Sequence, residues 1–247
     1  MSVSSRAVTT AVLAAAVAAG AYVEPRPLVL IGVAALLVIL VSLGWPHILR
    51  LPAPGGSRLV VLIGGLGAAA TTWYTPSEPV LRFLPAIIAI SIVLAFVAEM
   101  MRRDGRRQLT ESITGTTAGI VVAVCASGWV AAARTDAGPN LVATAAVALA
   151  VAAASAALPL KGWRALAVAV GAAIVTGAGV ATVLAPAVDT VSGAWTGGVT
   201  GIVVGGLHLL LERLPALRGK LAGISAATVP VAVTGMFVFV VGRLVIL

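Results

Sequence analysis

The chain has 247 residues, 60% of them hydrophobic and only 10% charged, with a mean hydropathy of +1.13. So few polar residues cannot cover a soluble domain of this length. Continuous apolar runs of about 20 residues are the signature of membrane-spanning helices, and they argue against a β-barrel, whose strands are short and alternating.

In chain order, the apolar runs predict spans at about 7–23, 27–44, 59–75, 81–100, 113–133, 140–158, 163–185, 190–212 and 221–246. The first could pass for a signal peptide with a cut near Ala21, but we read it as a span or signal anchor. The expected fold is all-α: a polytopic transmembrane helix bundle of about nine spans. Residues 1–247 then form a single integral membrane domain. The gaps between spans are too short to hold a soluble domain.

The charges test this count. Arg6, Arg50 with Arg58, the Arg102–Arg107 cluster, Lys161 with Arg164, and Arg213 with Arg218 and Lys220 are each separated by two spans. They therefore share one side, which the positive-inside rule makes cytoplasmic, along with the N-terminus. That side holds 12 of the 16 basic residues and four acids; the other holds Arg26, Arg82, Arg134, Arg243 and four acids. The net charge of +8 is thus a topology signal, and no nucleic-acid partner is needed to explain it. Arg243, near the outer end of the last span, is an exception that snorkelling can accommodate.

The eighth span carries Gly193, Gly197, Gly201 and Gly205 at intervals of four. Such residues share a helix face and let two helices approach closely in lipid. The face is read as a packing surface, with a substrate-lining face or a homodimer seam as alternatives. Gly115 and Gly119 form a second pair and are a plausible partner for the first. His208 and Glu212 continue the face; four residues apart, they can touch and relay a proton. Asp189 begins it at the outer end. Glu99 lies at the inner edge, beside Arg102 and Arg103. Ionisable residues within spans point by default to function, so these four are the candidate polar or lining residues. Arg102, Arg103, Arg106 and Arg107 are candidates for contact with an anionic lipid or phosphate. Pro230 should kink the last span. Cys125 reads as a small buried side chain.

No catalytic, cofactor-binding or metal-binding motif is present: no P-loop, no complete GxSxG, and no cluster of acids, His and Cys. The stretches "GWPHILRLPAPGGSRLVVLIGGLGA" and "AEMMRRDGRRQLTESITGTTAGIVV" resemble uncharacterised multi-pass membrane proteins of high-GC actinobacteria. The resemblance implies a plasma-membrane protein and names no site residue. The arginine loop with "LTESITGTTAGIVV", and Asp189-Thr190 before a glycine-rich run, are also similar to parts of the phosphatidate cytidylyltransferases. That family's C-terminal metal-binding signature is absent here.

Three functions are therefore carried forward. They are a permease-like protein for a small molecule or lipid, a non-catalytic membrane subunit or scaffold, and, ranked below both, an envelope-lipid enzyme. The partners considered are the lipid bilayer, an anionic lipid, another membrane protein and a second copy of the chain.

Overall fold

In lipid, a backbone must satisfy its own hydrogen bonds, and helices do so within one segment. The computed structural model describes residues 3–23, 28–103, 108–135, 137–158, 160, 162–212, 214 and 219–245, and among these it is helical without strands. The segments are α1 (Val3–Tyr22), α2 (Leu28–Ile48), α3 (Pro54–Tyr74), α4 (Leu84–Met100), α5 (Leu109–Cys125), α6 (Ser127–Ala132), α7 (Gly138–Ser155), α8 (Trp163–Val183), α9 (Thr190–Glu212) and α10 (Lys220–Val245). α5 and α6 are interrupted only at Ala126 and together make one span-length rod, Leu109–Ala132. Seven rods are long and apolar enough to cross a membrane; the other two are α3, of 21 residues, and α4, of 17.

Proline sets several helix starts. Pro54, Pro85 and Pro139 occupy the first or second position of α3, α4 and α7. There the missing N–H would have been unpaired anyway. α3 therefore begins at Pro54, before the expected 59, and takes Arg58 into its first turns.

Neighbouring rods run up and down. α10 is the centre of the bundle, packing on α1, α2, α6 and α9. Fully buried Trp129 of α6 donates its indole N–H to Val231 O of α10 at 2.8 Å. α8 and α9 form a peripheral hairpin, docked through α7 and α10.

Three helix pairs approach backbone to backbone. A Cβ on Gly177 would overlap Gly193 O, and one on Gly197 would overlap Ala173 O. A Cβ on Gly44 would overlap Leu221 O, and one on Gly128 the Gly235 backbone. The four-residue glycine series on α9 thus lies against Ala169, Ala173, Gly177 and Ala181 of α8. Gly115 and Gly119 do not meet it, contrary to the expected pairing: Gly115 faces Leu51, and Gly119 faces Trp45 and Val61. Bulky neighbours, rather than a second glycine face, fill that seam. Cys125 is only half-buried.

One methyl group tests these contacts. Gly197→Ala forces α8 and α9 apart and should destabilise the protein by about 1–3 kcal/mol. Gly206→Ala, whose Cβ meets nothing within 4 Å, should instead raise stability by about 0.5–1 kcal/mol, because alanine loses less backbone entropy in a helix. Thermal unfolding in a mild detergent measures both.

Candidate functional site at the basic end

The up-and-down order brings the N-terminal end of α1, the C-terminal ends of α7 and α9, and the start of α10 together. Arg6, Ala156, His208, Leu211 and Ala226 share one cleft there. The ends of α2, α3, α4 and α5 meet at the same level. Arg58 Nη2 lies 3.1 Å from His47 Nε2, and Ser112 of α5 donates to Glu99 of α4. This is the basic end of the molecule.

α9 presents two buried faces. The glycine face is closed by α8, as described above. Beside it, Ser192, Thr196, Thr200 and Val204 are each at most 3% exposed and recur at the same four-residue spacing. Thr196 Oγ1 donates to Ser192 O at 2.7 Å, whereas Thr200 Oγ1 is buried with no hydrogen-bond partner. The face ends at Val204 and His208 in the cleft.

The cleft has a volume of about 30 Å³, room for one or two waters. Arg6 and Thr10 of α1, Ala153 of α7, His208 of α9 and Pro230 of α10 line it. Thr10 Oγ1 lies 2.8 Å from Ala227 O and 3.0 Å from Arg6 O. Proline at 230 removes a helix N–H and disturbs the turn before it. The carbonyl that Pro230 leaves without its helical donor is that of Ala226, four residues back; Thr10 donates to the next one, Ala227 O. Arg6 Nε is buried without a partner. Half-buried His208 also borders a second, smaller void beside Ser155 and Ala165.

The other sequence candidates have local roles. Asp189 is the N-cap of α9, away from the cleft. Its Oδ2 accepts from Val191 N at 3.0 Å and Ser192 N at 3.2 Å, and Ser192 Oγ donates to Oδ1. Hydrogen bonds from Ser192, with a smaller one from Val191, hold this carboxyl below its usual range. Glu99 is 6% exposed, ion-paired to Arg102 Nη1 at 2.5 Å and bonded to Ser112. It thereby closes the α4–α5 corner. Arg103 is exposed at the same end. Arg106, Arg107 and the side chain of Glu212 lie outside the described residues.

Among the described residues, the cations at the opposite end, Arg82, Arg134 and Arg243, are also accounted for locally. Arg134 donates to Thr72 O at 2.6 Å and Thr75 O at 2.7 Å, capping the carbonyl end of α3. Arg243 pairs with Glu78 and lies over Phe239. Its exception to the charge rule is thus met by an ion pair. Arg82 stacks on Phe83 with 4.8 Å to the ring centroid. Among the described residues no three His, Cys, Asp or Glu side chains gather as a metal site.

Sequence reasoning missed Arg6, Thr10 and the Ser192–Thr196–Thr200 stripe. The stripe was readable as a second four-residue series beside the glycines. Arg6 and Thr10 had no local signal, because their partners lie about 200 residues away.

The helices and their apolar surfaces define a multi-pass α-helical membrane protein. No family model matches the chain, and neither a curated protein nor a solved structure does.

Asp189→Ala should lower the melting temperature by leaving the α9 amides uncapped. Because the folded pKa is depressed, the contribution of Asp189 is fully present above the unfolded value of about 3.9. It is lost as pH falls through the lower folded value. The difference in melting temperature between the two proteins, constant from pH 7 to about pH 5, should therefore begin to shrink as the pH is lowered toward 3.

Proposed function

We propose that the protein is a nine-span, plasma-membrane protein with its basic end and N-terminus in the cytoplasm, and that it acts as a permease-like protein for a small polar molecule or lipid headgroup. The orientation is supported by Arg6, Arg50, Arg58, Arg102, Arg103, Arg164 and Lys220 lying at one end. The span count adds α3 and α4 to the seven long apolar rods; 17 residues is the lower limit for crossing.

The observation that carries the transport reading is the hydroxyl stripe of α9 leading to the Arg6–His208 cleft. Thr200 Oγ1 and Arg6 Nε are buried without partners along it. Each orphaned polar atom costs about 1–3 kcal/mol, a cost that a passing ligand or water would offset. A cleft of about 30 Å³ passes no solute, so this is the closed state. Pro230 supplies a weak point in α10 at which the cleft can widen.

A subunit or scaffold role has one observation in its favour. The lipid-side groove between α8 and α9, of about 460 Å³, is lined by Val170, Ile174, Val191, Trp195 and Ile202. A partner helix could lie there.

Thiol labelling separates the two. In a Cys125→Ala background, Thr200→Cys should react with a small, membrane-impermeant reagent much faster than Ile202→Cys, which faces outward. Equal, negligible labelling at both positions would contradict a water-accessible stripe and leave the subunit reading ahead.

A further inference from the structure

A second, larger opening lies at the basic end, away from the α9 stripe. It is a groove of about 610 Å³ between the α2–α3 turn and the start of α10, a size typical of small-ligand sites. His47, Arg50 and Lys220 are its polar lining; Pro46, Leu51 and Leu221 supply apolar walls. No carboxylate lines it among the described residues. All three polar side chains are exposed, and His47 is also in contact with Arg58. Arg58 reaches His47 from behind, within 3.3 Å of both ring nitrogens, and adds a second guanidinium to the field.

The walls are fixed. Arg50 takes φ 54°, and Leu51 N–H donates back to Pro46 O at 2.8 Å, a Schellman-type closure of α2. Gly44 allows α2 to touch the α10 backbone at Leu221, and Ser225 Oγ donates to Val41 O at 3.2 Å. Leu221, which lines the groove, is therefore held directly against α2. Lys220, Leu221 and Ala222, the first residues of α10, border the opening. This helix N-terminus adds a partial positive charge to that of the side chains.

We propose that this groove binds a phosphate group, carried either by an anionic phospholipid headgroup or by a soluble phosphate. Two full cations and an imidazole at a helix N-terminus match the several acceptor oxygens of a phosphate. The apolar walls can hold the glycerol end of a lipid, and the bilayer interface is where this end of the bundle lies. The inference goes beyond the transport reading and does not depend on it, because it uses none of the α9 stripe.

The test uses the purified full-length protein in a neutral detergent. Its melting temperature is measured with short-chain phosphatidylglycerol, with phosphatidylcholine, and with inorganic phosphate. The same series is run on Arg50→Gly/Lys220→Gln and on Arg164→Gln. Glycine suits the positive φ at 50, so the double variant keeps its fold; Arg164 is an exposed cation at the same end but outside the groove. Stabilisation by phosphatidylglycerol alone, lost in the double variant and kept in Arg164→Gln, supports the site with a lipid source. Stabilisation by inorganic phosphate with the same variant pattern supports it with a soluble source. In either case the apparent affinity should fall about tenfold or more when both cations are removed. No stabilisation by either anion, equal stabilisation by phosphatidylcholine, or an unchanged response in the double variant would overturn the proposal.

Discussion

In a bilayer, helices gain little by hiding apolar side chains from one another, because lipid is as apolar as leucine. What remains is close contact, and the bundle depends on it. Gly177 with Gly193 and Gly197, Gly44 with Leu221, and Gly128 with Gly235 let pairs of backbones touch where any side chain would intervene. Dispersion falls steeply with separation, so these crossings provide attraction that larger residues would lose. The α2–α10 and α6–α10 crossings place α10 at the centre. The α8–α9 crossing makes a hairpin that then docks as a unit.

Close packing leaves little room for water, so the buried polar atoms need protein partners. Most have them. Trp45 and Trp129 donate their indole N–H groups to Gly115 O and Val231 O, each at 2.8 Å. Ser57 and Thr116 pair at 2.7 Å. Against this background, three buried side-chain atoms among the described residues lack a partner: Thr200 Oγ1, Arg6 Nε and Arg58 Nε. The first two belong to α9 and the cleft at its end, the third to α3 beside His47. Polar atoms left unsatisfied in an otherwise satisfied interior are where a ligand or water has something to gain. The basic end differs from the opposite end in the same sense. Arg134 and Arg243 are consumed by a helix C-terminus and an ion pair, while Arg50 and Lys220 border open space.

The helical rods were legible because long hydrophobic runs are a strong, additive signal. The helix starts set by Pro54, Pro85 and Pro139 did not enter the expected boundaries, and α3 was begun about five residues late, whereas the glycine spacing on α9 marked a close contact. The partner of that face was not legible. Ala169, Ala173, Gly177 and Ala181 have the same spacing, but alanine fills nearly every helix here, so small-residue stripes do not single out a pair. Gly115 and Gly119 drew attention because they are glycines, yet Trp45 and Leu51 fill the space beside them. Asp189 was considered as a lining residue because it extends the glycine series. Its position directly before a helix, three residues ahead of Ser192, is the pattern of an N-cap, and that local role accounts for it. Arg6 and Thr10 could not be found by any local rule, since the cleft exists only once α1 lies against α10.

The most direct test of this account is a disulfide cross-link across the α8–α9 seam. A Cβ on Gly205 would lie 3.4 Å from Ala169 Cβ, close to the spacing of a disulfide. In a Cys125→Ala background, Ala169→Cys/Gly205→Cys should oxidise readily to an intramolecular disulfide, identified by mass spectrometry of the cleaved chain. Gly119→Cys/Gly205→Cys should not. A folded protein that cross-links 119 to 205, or that leaves 169 and 205 reduced under the same oxidant, would contradict the claim that α8 seals the glycine face of α9.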